Sequence, residues 1–181
     1  YGKSKLAAEN YILSCSLPKK KRVYILRPCM IHGPMNKGNL SLLYNFVSYK
    51  IPWPLGAFKN LRSFCSIDNL LFIIDELIEN KMIPSDIYNI ADDKPLSTNK
   101  IISLIAKSQN RNQIIWNIPK SLVKLFIRFG DIINLPLNSK NLKKLSESYI
   151  VSNKKIVYAI SKKLPIKSHD GMLNTFKSFE K

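Results

Sequence analysis

The run Val23-Tyr24-Ile25-Leu26, apolar at four consecutive positions and stopped by Arg27-Pro28, narrows the possible folds more than any other stretch of the chain. It is too short for a helix, and its continuity without polar alternation is what a strand buried in a parallel sheet carries. A second run, Ile87-Tyr88-Asn89-Ile90, leads into Ala91-Asp92-Asp93-Lys94-Pro95. Loops at the carboxyl ends of such strands are where open α/β sheets place function. That directs attention to Arg27-Pro28-Cys29-Met30.

Helical patterns lie between and around the two runs. Residues 1 to about 15 read as a helix, ended by Leu17-Pro18. Another runs from Asn39, as N-cap, to about Tyr49; a third, opened by Asp68, covers 69–80; a fourth, capped by Ser97 or Thr98, reaches Ser108. Ile51-Pro52-Trp53-Pro54-Leu55-Gly56 is too rich in proline for a central strand. Residues 114–118 suit a further short strand. Beyond Pro119, Leu122, Leu125, Phe126 and Phe129 oppose Lys124 and Arg128, an amphipathic pattern better suited to packing on the remainder of the chain than to a membrane surface. Residues 138–160 and 171–180 give two or three more helices, with Leu164-Pro165 between them.

Composition limits the partners. The 181 residues are 45% hydrophobic, enough for a core, yet carry a net charge of +17. The excess comes from 24 Lys against 5 Arg, scattered and accompanied by 24 Ile and 17 Asn, which fits AT-rich codon usage better than a phosphate-reading surface. Lys19-Lys20-Lys21-Arg22 is a tight basic run, read as a solvated loop. Nucleic acid is therefore not an expected partner, although a non-catalytic basic domain remains the rival reading. Cys15, Cys29 and Cys65 are single and odd in number, which suits a reducing, cytoplasmic setting. Cys29 and His32 have no second pair to complete a zinc site, so no metal is expected. No apolar run reaches the roughly 18–20 residues that a bilayer requires, so no stable membrane insertion is expected.

The opening stretch, Tyr1-Gly2-Lys3-Ser4-Lys5-Leu6-Ala7-Ala8-Glu9, carries the chemistry. Helical spacing sets Tyr1 and Lys5 on one face, where an ammonium lowers the phenol pKa from about 10 toward working pH, as a general acid/base needs. Alone, Tyr-x-x-x-Lys also describes a solvated helix face. In company with Leu26-Arg27-Pro28-Cys29-Met30-Ile31-His32-Gly33-Pro34 and Arg62-Ser63-Phe64-Cys65-Ser66-Ile67-Asp68-Asn69-Leu70, the stretch resembles the extended short-chain dehydrogenase/reductases of the NAD-dependent epimerase/dehydratase family. Within that family it is most similar to nucleotide-sugar 4-epimerases and 4-ketoreductases.

The resemblance implies an α/β fold: the C-terminal part of a Rossmann-type parallel sheet domain, joined to a smaller mixed α/β substrate-binding lobe. Residues 1–34 end the NAD(P)-binding domain, and 35–181 form mainly the substrate lobe, with 62–92 returning to the first domain. It implies that Tyr1 and Lys5 are catalytic and that Tyr1, Lys5, Pro28 and Cys29 face NAD or NADP. Met30, Asn39, Leu40 and Arg62 would face the sugar nucleotide, and the intact enzyme would be a homodimer. UDP-hexose or UDP-N-acetylhexosamine is the implied substrate, in cell-surface polysaccharide synthesis, with a nucleotide-sugar dehydratase as the alternative. Galactose-type epimerases carry Asn where Met30 stands. Having no Gly-x-Gly-x-x-Gly and opening on Tyr1, the sequence reads as a C-terminal piece of a longer enzyme, inactive by itself.

Overall fold

The computed structural model describes residues 2–16, 18, 20–123, 125 and 146–179. Helix α1 (Gly2–Ser14) leads to strand β1 (Tyr24–Pro28) and, after Cys29, to β2 (Met30–His32). Then come α2 (Asn39–Ser48), β3 (Phe64–Ser66), α3 (Ile67–Glu79), β4 (Asp86–Ile90) and α4 (Thr98–Ser108), with α5 (Lys154–Ile160) and α6 (Ser168–Lys177) near the end.

The two apolar runs recognised in the sequence are partners. β1 and β4 pair in parallel, Tyr24 opposite Asp86 and Pro28 opposite Ile90. β2 pairs in parallel with β3, Met30 opposite Phe64. At the junction the Cys29 amide donates to Ile90 O at 2.9 Å and the Asp92 amide to Phe64 O at 2.8 Å. The ladder thus passes from one pair to the other where both chains leave β1 and β4. Pro28, which has no N–H to donate, sits on the last rung of β1.

Burial follows the two-residue period of a strand. Tyr24 and Leu26 pack with Tyr88, Ile90, Ile73, Leu77, Ile156 and Ile160, so α3 and α5 cover one face of the β1–β4 pair. Ile25 and Arg27 point to the other face, toward α1. β1 is only half-buried at Tyr24–Leu26 and exposed at Arg27 and Pro28. This departs from the sequence reading of a fully buried strand, because among the described residues β1 has a strand on one edge only and no apolar layer on its α1 face. A second core joins α2, α4 and α6 through Val47, Ile101, Ile102, Ile105, Met172 and Phe176. β3 lies between the two, Phe64 in one core and Cys65 in the other.

Two helix starts differ from expectation. Ser66, not Asp68, caps α3, its hydroxyl accepting from the Asp68 amide. Ser is the better cap here because it ends a strand in extended backbone, leaving Asp68 in the first turn, where its charge favours the helix dipole. Asn39 is the first residue of α2 rather than its cap; Gly38, at φ 112°, precedes it and no side chain caps the helix. Ser97 caps α4 as read from the sequence, accepting from the Lys100 amide.

The Pro-rich loop 51–56 lies against 114–117 through bridges Trp53–Ile115 and Leu55–Asn117, so 114–118 is a bridged segment rather than a full strand. Gly56 is required there: a Cβ would come within 2.7 Å of Trp116 O. After Pro119, Val123 is the buried residue while Leu122 and Leu125 are exposed. Lys124, Phe126, Arg128 and Phe129 fall outside the described residues, as does the 138–145 part of the helical reading beyond them.

Candidate active site

The residues singled out from the sequence divide between two places. Tyr1 lies outside the described residues. Lys5 is on the exposed surface of α1, one turn before Glu9. Glu9 makes a two-pronged contact with Arg27: Nε stands 3.1 Å from both carboxylate oxygens and Nη2 donates to Oε2. The Arg27 guanidinium holds the Glu9 carboxyl below its ordinary range. Through this pair the Lys5 stripe of α1 meets the residue just before Pro28.

Pro28 and Met30 are both exposed at the carboxyl end of β1, with Cys29 buried between them, so the segment presents alternate side chains to solvent. Burial pushes the Cys29 thiol up, with the nearby Asp92 charge adding to the effect. Cys29 therefore offers a surface, not a nucleophile. Met30 is the rung opposite Phe64, two residues after Arg62.

Arg62 is pinned by its backbone. Its amide donates to Leu96 O at 2.9 Å and its carbonyl accepts from the Leu96 amide at 2.8 Å, while Tyr149 bridges the other side. Among the described residues the Arg62 guanidinium makes no hydrogen bond or ion pair. The other described arginines are committed: Arg22 donates to Asn80 O and Tyr24 Oη at 2.8 Å, Arg27 to Glu9, and Arg111 to Val47 O. Arg22, read from the sequence as part of a solvated basic loop, in fact closes the carboxyl end of α3, where its charge is favourable.

Asn39 is exposed at the start of α2, but Leu40 is 2% exposed and belongs to the α2–α4–α6 core. Leu40 can offer a ligand its backbone only. Beside this helix start, Met35, Asn36, Ser41, Tyr44 and Phe179 line a shallow groove.

Sequence reasoning missed the polar centre that holds these loops. Asp92 Oδ1 accepts from the Ser66 amide at 2.9 Å and Asn69 Nδ2 at 2.7 Å, while Oδ2 faces His32 Nε2 at 3.2 Å. His32 Nδ1 is 2.9 Å from Thr175 Oγ1, and Asn69 exchanges bonds of 2.8 and 3.0 Å with the backbone of Ile166. His32, Asn69, Asp92 and Thr175 are all buried. One sign was legible: Asn69 shares a helical stripe with Ile73 and Glu76–Leu77, so a polar residue stands on the buried face of α3. The ends of β2 and β3 and the loop leaving β4 are thereby fixed to α3 and α6.

Comparison with known proteins gives the setting. No protein-family model matches the chain. A UDP-glucose 4-epimerase of Vibrio cholerae is 30% identical over 120 residues, covering 66% of this chain and 36% of that protein. An N-acetyl-alpha-D-glucosaminyl-diphospho-ditrans,octacis-undecaprenol 4-epimerase of Escherichia coli O157:H7 is 27% identical over 124 residues, 67% of this chain and 38% of that one. Among solved structures, the Bordetella bronchiseptica enzyme WbmG in complex with NAD and UDP superposes with a TM-score of 0.67 at 16% identity, over 99% of this chain and 50% of that one. The Thermotoga maritima UDP-glucose 4-epimerase with UDP-glucose gives 0.65 at 13% identity, over 99% and 52%. The chain thus spans a little over a third of the curated relatives it matches.

Proposed function

Since the chain belongs to the NAD-dependent epimerase/dehydratase family of extended short-chain dehydrogenase/reductases, we propose that it forms part of a nucleotide-sugar 4-epimerase or 4-ketoreductase. Its substrate is a UDP-hexose or UDP-N-acetylhexosamine, used in making cell-surface polysaccharide. The observation that carries this reading is Arg62, whose backbone is bridged on both sides and whose guanidinium has no protein partner among the described residues. A guanidinium fork left available on a fixed backbone suits a diphosphate, which it can grip through two oxygens.

The residues present fit one end of the cofactor. Pro28 leaves an exposed wall at the carboxyl end of a parallel strand for a flat ring, with Cys29 buried beside it, and Lys5 offers ammonium donors for a ribose. A pyrophosphate cradle of the Gly-x-Gly-x-x-Gly type is not among these 181 residues. Bound NAD or NADP would supply hydride chemistry at the sugar C4. Tyr1 would take the proton of the sugar 4-hydroxyl and give it back to the oxygen of the 4-keto sugar. Lys5 keeps the Tyr1 phenol acidic enough for that exchange.

The test follows UDP-glucose and UDP-N-acetylglucosamine by proton NMR with the protein as its gene encodes it. A 4-epimerase inverts C4 with no net use of cofactor; a ketoreductase consumes reduced cofactor one-for-one with a 4-keto sugar; a dehydratase releases water and leaves a 4-keto-6-deoxy product. Failure of all three, with RNA binding that weakens steeply as salt rises, would return the chain to the basic binding domain.

A further inference from the structure

The helix that carries Lys5 is joined to the molecule in its own way. No residue of α1 is buried, and the Ser14 hydroxyl donates within the helix, to Tyr11 O at 2.8 Å. Glu9 breaks this pattern. Its side chain is 18% exposed, against 46% for Arg27, and the carboxylate takes both Nε and Nη2 of that guanidinium. Arg27 in turn is fixed by β1, its rung lying opposite Asn89.

We propose that the Glu9–Arg27 pair seats α1 on the carboxyl end of β1 and thereby positions Lys5 against the segment Pro28–Met30. Glu9 and Arg27 are positioning residues, and the inference rests on the reading above that Lys5 takes part in the chemistry. Geometry supports a lever. Four residues of helix put Lys5 about 6 Å along the axis from Glu9, so a tilt of about 10° at Glu9 moves Lys5 by about 1 Å. Displacements of that size at a reacting centre can cost about 100-fold. The pair itself biases the seated orientation by much less, because partly exposed ion pairs are weak. Its removal should therefore be felt as a loosening of α1, not as loss of the site. A two-pronged contact resists rotation as well as separation, which a single point charge does not.

Glu9→Gln and Arg27→Met are made singly and together in the protein as its gene encodes it. Amide exchange within α1, which requires no activity, should quicken about 1.5- to 5-fold in each single variant. The double variant should be no faster than either, because the two side chains act as one unit. Arg27→Lys keeps the charge without the fork and should restore part of the protection. Turnover should fall by a similar factor, about 1.5- to 5-fold, at unchanged substrate KM, and the limb of the pH profile set by Tyr1 should move to higher pH as Lys5 drifts from it. Unchanged α1 exchange in both single variants overturns the seating. Faster exchange with an unmoved kcat and pH limb overturns the positioning of Lys5. If Lys5→Met itself leaves turnover intact, the catalytic reading fails, and the positioning with it, while amide exchange still decides the seating.

Discussion

Helix α1 and the polar centre around Asp92 are opposites. α1 carries the Lys5 stripe and buries none of its residues, whereas Asp92 accepts three hydrogen-bond contacts within a shell of buried side chains. The first region carries the residue proposed to take part in the chemistry and contributes little to cohesion. The second concentrates cohesion: it fixes the ends of β2 and β3 and the loop after β4, and it presents no exposed reactive group. On the proposed assignment, the residue that reacts and the residues that hold the fold together lie in different parts of the chain. Elements that bind or react are drawn from the loosely held end of a fold.

This contrast can be broken from either side. The largest effect should come from Lys5→Met, lowering kcat by about 10²–10⁴-fold in the protein as encoded while leaving the urea midpoint in place. A variant that unfolds early would mean that α1 is part of the core after all. Thiol chemistry reads the same contrast. Burial pushes the Cys65 thiol up to about 12, with the charge of Asp92 adding to it, and Cys29 is raised for the same reasons, while Cys15 stands exposed just beyond α1. At pH 8, iodoacetamide should add one group to the native protein, on Cys15, and three in urea, a difference in rate of about 10³ for Cys65; mass spectrometry of the intact chain decides.

Next in size is Asp92→Ala, which leaves the Ser66 amide, Asn69 and His32 without their acceptor and should cost about 3–5 kcal/mol by urea unfolding. Asp92→Asn retains an acceptor oxygen and should cost less; equal losses would mean that charge, not hydrogen bonding, holds the centre. Arg62→Lys should weaken UDP by about 1–3 kcal/mol in calorimetry, with stability changed by no more than about 0.5 kcal/mol. Undiminished affinity would make Arg62 a scaffold residue. The smallest effect is a pH dependence. Since Arg27 depresses the Glu9 carboxyl below its ordinary 4.5, the pair's contribution is complete above about that pH and is lost as pH falls through the depressed value. Helical circular dichroism should therefore decline slightly ahead of the main acid transition, and Glu9→Gln should abolish that early step.

Much of this was open to reading in the chain itself, for identifiable reasons. The run 23–26 was recognisable because a continuous apolar stretch with β-branched residues has few alternatives, and the run 87–90, apolar but for Asn89, is its parallel partner. Ser97 was found as a cap because cap chemistry is local. The start of α3 was misjudged for a related reason: Ser66 and Asp68 are both good caps, and only the extended backbone of β3 chooses between them. The centre around Asp92 could not be assembled from spacing, because His32, Asn69, Asp92 and Thr175 are far apart in sequence and nothing local joins them. The Glu9–Arg27 pair was hidden likewise, being eighteen positions apart on unlike elements.

The three-residue strand β3 governs how the molecule comes apart. All three residues of β3 are buried, Phe64 belonging to the core of α2, α4 and α6 and Cys65 to that of α3, α5 and the β1–β4 pair. Neither core can melt and leave the other intact, since withdrawing β3 strips a wall from both. The two should unfold in a single cooperative step, and the amides of Phe64 to Ser66 should open only in the global event, last among all those in the chain to exchange with solvent.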